Sequence, residues 1–151
     1  MSGLLQDVLP ELKSLALIAV AMGLGALIGA EREAAEKPAG LRTHMLVAGA
    51  ASLLTSLGVV AVESFAGEGL ASFVRADPIR ILEAIITGVA FLGAGTIIRR
   101  GGRSVEGLTT AASLLFTAGI GVTIALSLYV LALGTTVLAL ITLRLIRRFE
   151  S

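Results

Sequence analysis

Four long stretches without a charged residue constrain this chain more than any other feature of its sequence. They cover residues 14–30, 45–62, 84–98 and 108–143. A helix that spans a bilayer needs about 20 mostly apolar residues, so each of the first three stretches predicts one crossing. The fourth would form a helix about 54 Å long, well beyond a hydrocarbon core of roughly 30 Å, and we expect it to fold back once.

The predicted architecture is therefore all-α, a polytopic membrane bundle of five transmembrane helices. Its single domain covers residues 1–151, with helices at about residues 12–30, 43–62, 78–98, 107–121 and 124–144. Gly119 and Gly121 mark the predicted bend between the fourth and fifth helices. The third helix reaches full length only if it begins near Pro78 and includes Arg80 and Glu83 in its first turns.

Composition supports a bilayer environment, because 56% of the residues are hydrophobic, 15% are charged and the mean hydropathy is +0.95. This leaves too little polar surface to coat a soluble domain. The 12 basic and 11 acidic residues nearly balance, which argues against a nucleic-acid partner. The sequence contains no cysteine, one histidine, no apparent Ser/His/Asp set and no phosphate-binding loop. We therefore expect a protein that is not an enzyme. We also expect no cofactor, apart from the Mg²⁺ alternative considered below.

The basic residues predict the orientation, because lysine and arginine collect in short cytoplasmic loops. With five crossings, all but three of the 12 fall on one side; the exceptions are Lys13, Arg75 and Arg80. We expect the amino terminus outside and the carboxyl terminus in the cytoplasm. The longest polar loop, residues 63–77, would be external and carry a short surface helix around Phe73.

Two sequence patterns concern helix packing. Residues 24–26 (Leu-Gly-Ala) recur at 92–94, an offset of 68, and residues 40–41 (Gly-Leu) recur at 107–108, an offset of 67. A parallel repeat of helix pairs would explain these matches, and the abundance of these residue types is the alternative explanation. Small residues also recur at four-residue spacing in helices one and two: Ala21, Gly25, Gly29, Ala48, Ser52 and Ser56. Such stripes predict close packing, within the chain or between copies in a homo-oligomer.

The connection between helices one and two places charges against the helix dipoles. Glu31 and Glu33 follow the carboxyl end of helix one, and Arg42 precedes helix two. Pairing of the carboxylates with Arg42 would relieve this conflict. Alternatively, Glu31 and Glu33 bind Mg²⁺ as a metal site, which requires helix one to end between them because residues two apart diverge on a helix.

Further polar candidates lie at the helix ends and along helix four. In helix three, Asp77, Arg80 and Glu83 share one face, either as a surface pair of Arg80 with Glu83 or as the mouth of a cation or proton path. His44 lies just inside helix two and would hydrogen-bond locally or titrate near neutral pH. The hydroxyls of Thr109, Ser113 and Thr117 would bond their own helix or meet Glu83 and Thr87.

Five ordered motifs within residues 24–114 resemble the MgtC/SapB family. They are GALIGAERE at 25–33, AGLRTHMLV at 39–47, DPIRI at 77–81, GVAFLGAGTI at 88–97 and GLTTAASL at 107–114. The positions that match the family type are Glu31, Arg32, Glu33, Gly40, Arg42, Thr43, His44, Asp77, Pro78, Arg80, Gly93, Gly95, Thr109 and Thr110. One departure is Ala84, where some relatives carry glutamine.

The resemblance implies a bacterial inner-membrane protein with five helices, linked to Mg²⁺ homeostasis and to growth at low Mg²⁺. It also implies a protein partner, because family members are connected with restraint of the F-type ATP synthase. Virulence-type members extend into a cytoplasmic domain after the fifth helix, and the sequence to Ser151 does not include that domain. We therefore expect a non-enzymatic protein that contacts another membrane complex or senses conditions at its first hairpin. The alternative is a small channel or transporter for Mg²⁺ or protons.

Overall fold

A computed structural model describes residues 2–67, 78–100 and 104–147 as a helical bundle. Its helices are α1 (Ser2–Ala34), α2 (Leu41–Gly67), α3 (Pro78–Thr96), α4 (Leu108–Ala125) and α5 (Tyr129–Arg147). The strands β1 (Ile98–Arg100) and β2 (Ser104–Glu106) form an antiparallel ribbon between α3 and α4. The predicted all-α class is confirmed. The proposed surface helix near Phe73 lies outside the described residues.

Four of the helices are long and apolar enough to cross a bilayer. The qualifying segments are Val8–Ala34, Leu41–Ser64, Ile79–Thr96 and Leu108–Ala125. The apolar part of α5, Tyr129–Leu145, is shorter, but α5 returns beside α4, and Thr142 of α5 lines the same groove as Thr109 of α4. At 1.5 Å per residue this part is about 26 Å long, close to the thickness of the hydrocarbon core.

The predicted bend between helices four and five is wrong in position. α4 continues through Gly119 and Gly121, and the chain turns only after Ala125. Ser127 takes a positive φ of 59°, and its N–H donates to the carbonyl oxygen of Ile124. Glycine does not by itself end a membrane helix, because lipid leaves the freed backbone groups without an alternative partner. Gly121 instead allows α4 to pack against the backbone of Ala48 in α2.

Other helix ends also differ from the prediction. α1 extends beyond residues 12–30 in both directions, and α3 ends at Thr96 rather than at residue 98. The ribbon that follows α3 was not predicted, although a Gly-Gly pair between two short segments is a known hairpin signal. That pair, residues 101–102, lies outside the described residues.

Small residues set the closest helix contacts. A Cβ built on Gly25 would lie 2.5 Å from the His44 carbonyl oxygen, and one on Gly29 would lie 2.7 Å from Cα of Leu41. α1 and α2 therefore pack within this chain, as one of the two packing alternatives predicts. α4 is central to the bundle and contacts each of the other four helices.

Within each of the two helix hairpins, α1–α2 and α3–α4, the paired helices approach at corresponding positions. Gly25 of α1 faces His44 of α2, and Gly93 of α3 faces Ala111 of α4, 3.2 Å from a Cβ built on the glycine. The first members of these contacts differ by 68 positions and the second members by 67. These are the two offsets of the sequence repeat, so the contacts support a repeated helix pair.

Candidate functional site

Glu31 and Arg32 form a buried ion pair at the carboxyl end of α1. Arg32 Nε donates to Glu31 Oε2 at 2.7 Å, and each side chain is only 4% exposed. The other carboxylate oxygen, Glu31 Oε1, is buried and has no hydrogen-bond partner in the described part of the chain. The helix dipole disfavours a carboxylate here, so the adjacent guanidinium supplies the compensating charge.

Glu33 has a different role, because its carboxylate caps the next helix. The backbone N–H of Leu41, the first residue of α2, donates to Glu33 Oε2 at 2.8 Å. A carboxylate at an amino terminus is stabilised by the unpaired N–H groups and by the helix dipole. Gly40 leaves the room for it, since a Cβ at that position would lie 2.8 Å from Glu33 Oε2.

The expected pairing of these carboxylates with Arg42 is wrong. Glu31 pairs with its neighbour Arg32, Glu33 bonds the backbone, and Arg42 is exposed without an ion pair to any described residue. The reason is that α1 continues to Ala34, which turns Glu31 into the bundle and leaves Glu33 outside.

The same geometry does not fit a shared Mg²⁺ site at Glu31 and Glu33. The helix break that such a site requires is absent, because α1 runs through both residues. No group of three or more His, Asp or Glu side chains that could hold a metal occurs within the described ranges. Both carboxylates already bind other groups, Arg32 and the Leu41 N–H.

His44 connects α2 to α4. Its Nδ1 lies 3.0 Å from the Gly40 carbonyl oxygen, and its Nε2 lies 3.1 Å from Ser113 Oγ. A carbonyl oxygen only accepts, so Nδ1 carries a proton, and in the neutral ring Nε2 accepts from the Ser113 hydroxyl. That hydroxyl has a second acceptor, the Thr110 carbonyl oxygen at 2.8 Å, and therefore one proton is shared between two acceptors.

A serine bonded to a histidine is also the starting arrangement of a nucleophile and its base. Acyl transfer further needs donors for the developing oxyanion, but the backbone N–H groups around Ser113 lie within α4. His44 is fully buried and Ser113 nearly so. The pair therefore forms a buried polar bond between α2 and α4.

Two buried hydroxyls continue this polar interior without a partner. Ser52 lies two turns after His44 in α2, and Thr117 lies one turn after Ser113 in α4; neither oxygen has a hydrogen bond in the described structure. We define Glu31, Arg32, His44, Ser113, Thr117 and Ser52 as the polar seam. The four-residue spacing identifies these hydroxyls in the sequence as members of one helix face, but it does not show which neighbouring helix that face contacts. Of the two alternatives for the α4 hydroxyls, Ser113 follows the first, because it donates to the Thr110 carbonyl oxygen of its own helix, and it faces α2 rather than Glu83.

The candidate residues of α3 point away from the seam. Arg80 and Glu83 are both exposed and form no ion pair with each other. The hydroxyl of Thr87 is also exposed and donates to the Glu83 carbonyl oxygen. Asp77 lies outside the described residues. Within the single chain, Arg80, Glu83 and Thr87 do not open into the bundle interior.

Three further family-type residues, Arg42, Thr43 and Thr109, line two apolar grooves. Arg42 and Thr43 line one end of a groove of about 480 Å³ between α2 and α3. Thr109 lines a groove of about 450 Å³ between α4 and α5, which reaches Ser113. Its neighbour Thr110 is buried. The motif residues thus divide into a buried group and an exposed group.

Comparisons with known proteins agree on one family. The model of the MgtC family matches residues 18–151. Protein MgtC of Salmonella typhimurium is 45% identical over 121 residues, which are 80% of this chain and 46% of that protein. The putative magnesium transporter YhiD of Escherichia coli K12 is 40% identical over 127 residues, 84% of this chain and 57% of that protein. The chain thus spans about half the length of these curated relatives, and no solved structure matches it.

Proposed function

Since the chain belongs to the MgtC family, we propose that it is a non-enzymatic protein of the bacterial inner membrane that acts in Mg²⁺ homeostasis. One observation carries this proposal: the family-type residues Glu31, Arg32, His44 and Thr110 are buried where helices meet. His44 joins α2 to α4 through Ser113, and Arg32 compensates the buried charge of Glu31, so these residues support the packing of the bundle.

The exposed side of the α1–α2 connection supports a role in contacting another membrane complex, such as the F-type ATP synthase. Lys37 and Arg42 are exposed and form no ion pair within the described chain, and Glu36 beside them is also exposed. A charged surface fixed on a buried polar cluster is suited to recognise a partner of complementary charge. The alternative role for the same surface is to sense cytoplasmic conditions through these exposed charges.

Charge reversal on this surface tests the proposal. In a bacterium that lacks its own MgtC-family protein, the wild-type chain is expected to restore growth at low Mg²⁺. Lys37→Glu with Arg42→Glu should abolish the rescue at an unchanged protein level, because both side chains are exposed. Lys13→Glu, an exposed change on α1 away from the connection, is the matched control. Full rescue by the doubly reversed variant would contradict the role of this surface.

We further propose that the α1–α2 connection faces the cytoplasm, with the amino terminus outside. The support is the positive-inside distribution of the basic residues. Reporter fusions to the first and last residues should be active on opposite faces of the membrane. Activity on the same face would exclude an odd number of crossings.

The second candidate function is transport of Mg²⁺ or protons. The observation in its favour is the polar seam, because three buried oxygens without partners (Glu31 Oε1, Ser52 Oγ and Thr117 Oγ1) are sites where water or an ion would bind. The purified chain in liposomes would then carry ions above the level of empty vesicles. Ser52→Ala with Thr117→Val should lower that flux, whereas Thr135→Val, a change to a half-buried hydroxyl of α5 outside the polar seam, should not. Absence of flux in the wild type would exclude this candidate.

A further inference from the structure

α3 presents to the outside of the bundle a strip whose first half is polar and whose second half is apolar. Helical geometry of 3.6 residues per turn places the members of this strip within about 100° of arc. We call this strip the α3 outer face; it consists of Arg80, Glu83, Ala84, Thr87, Phe91 and Ala94. All six side chains are exposed, and Phe91 is 81% exposed. The opposite side of α3 holds Ile85 and Val89, which are buried against the bundle.

The two charges of this face are in an unfavourable place if lipid alone covers it. Ionisable side chains within membrane helices almost always face other protein or a wet cavity. The long stem of Arg80 can reach the membrane surface. Glu83 has a short stem and lies about 7 Å along the axis from the start of α3, inside the apolar segment Ile79–Thr96. Neither forms an ion pair with any residue of the described ranges.

We propose that the α3 outer face binds a second copy of this chain. Two copies in one membrane run in the same direction, so their two-fold axis lies along the membrane normal and the interface is isologous. Such an axis brings Arg80 of each copy to Glu83 of the partner subunit, and the four charges then sum to zero. The charge pattern is thus complementary to itself, which selects a second copy over an unrelated protein.

The backbone next to these charges can be approached closely. A Cβ built on Gly88 or Gly95 would meet no described atom beyond its own stretch of helix within 4 Å. Both glycines lie at the edge of the α3 outer face, where small residues let membrane helices pack backbone to backbone. α3 is also the least buried of the four long apolar helices. The face is therefore open along its length.

Disulfide cross-linking tests this contact directly, because the chain contains no cysteine. Thr87→Cys places one thiol near the proposed axis, and a disulfide requires the two Cα atoms to lie within about 7 Å. Val137→Cys on α5, at a similar depth and also exposed, is the control. In native membranes under mild oxidation, Thr87→Cys should give at least tenfold more covalent dimer than Val137→Cys. Equal yields, no dimer, or a cross-link only to a different protein would overturn the proposal.

Charge reversal distinguishes a specific contact between Arg80 and Glu83 of two copies from nonspecific association of α3. Arg80→Glu leaves two carboxylates on the face and Glu83→Arg leaves two guanidinium groups, so each variant should lose at least tenfold in self-association. Differently tagged copies of the two variants, expressed together, should co-purify at the wild-type level because opposite charges now meet. This recovery also shows that both variants fold. Unchanged self-association of the single variants, or no recovery in the mixture, would refute the Arg80–Glu83 contact.

Discussion

The contact between α1 and α2 at Gly25 gives the most direct test of the packing. A methyl group at this position would lie 2.5 Å from the His44 carbonyl oxygen and 2.9 Å from Cβ of Ala48. Ordinary contact begins near 3.4 Å, so the two helices must separate by about 0.9 Å. The carbonyl belongs to the backbone of α2 and cannot rotate away. Forced overpacking of this kind costs about 1–3 kcal/mol.

Gly23→Ala on the same helix is the matched control, because a Cβ there meets nothing within 4 Å. Both changes replace glycine by alanine within a helix, which favours the helix by about 1 kcal/mol. This contribution to helix stability is the same in both variants. The difference between their free energies of unfolding therefore measures the cost of overpacking alone. We expect Gly25→Ala to be less stable than Gly23→Ala by about 1–3 kcal/mol, which lowers the ratio of folded to unfolded protein by about fivefold to 150-fold.

The measurement is unfolding of the purified protein in mixed micelles of mild detergent and sodium dodecyl sulfate, followed by circular dichroism. The transition of Gly25→Ala should occur at a lower fraction of dodecyl sulfate than that of Gly23→Ala. If the two variants unfold together, or if Gly25→Ala is the more stable, the close approach of α1 and α2 at this position is refuted.

The other predictions concern the polar seam. Arg32→Ala should lower the free energy of unfolding by about 3–5 kcal/mol, because it leaves the Glu31 carboxylate buried and unpaired. The control Arg42→Ala, at an exposed position, should change it by less than about 0.5 kcal/mol. Equal losses in the same unfolding assay would show that the ion pair is not buried. A double-mutant cycle of His44→Ala and Ser113→Ala should give a coupling of about 0.6–2 kcal/mol, and additive effects would exclude their hydrogen bond. Ser52→Ala should be neutral or stabilising by up to about 1 kcal/mol because it removes an unpaired buried hydroxyl; a clear loss would show that water or another ligand is bound there.

Much of the architecture follows from local properties of the sequence. The uncharged stretches correctly predict the class and the approximate helix positions, because crossing a bilayer depends on length and hydropathy along a single segment. The offsets of 68 and 67 also indicate a repeated helix pair, and in the structure Gly25 and Gly93 make equivalent contacts. The position of the turn between α4 and α5 did not follow, because Gly121 serves a helix contact and the break depends on the conformation of Ser127.

The partners of the motif residues were decided only by the tertiary structure. Glu31, Arg32 and His44 stand out in the sequence, but His44 bonds Ser113, a residue 69 positions away on another helix. Which side chain a helix turns inward depends on its rotation and on how closely its neighbours approach. The sequence alone does not determine the rotation of a helix or the distance to its neighbours. In this structure, both are set by the contacts of Gly25, Gly29 and Gly121 with neighbouring backbones. For this reason hydropathy determined the membrane bundle, whereas helix packing determined that Glu31 is buried and Glu83 faces outward.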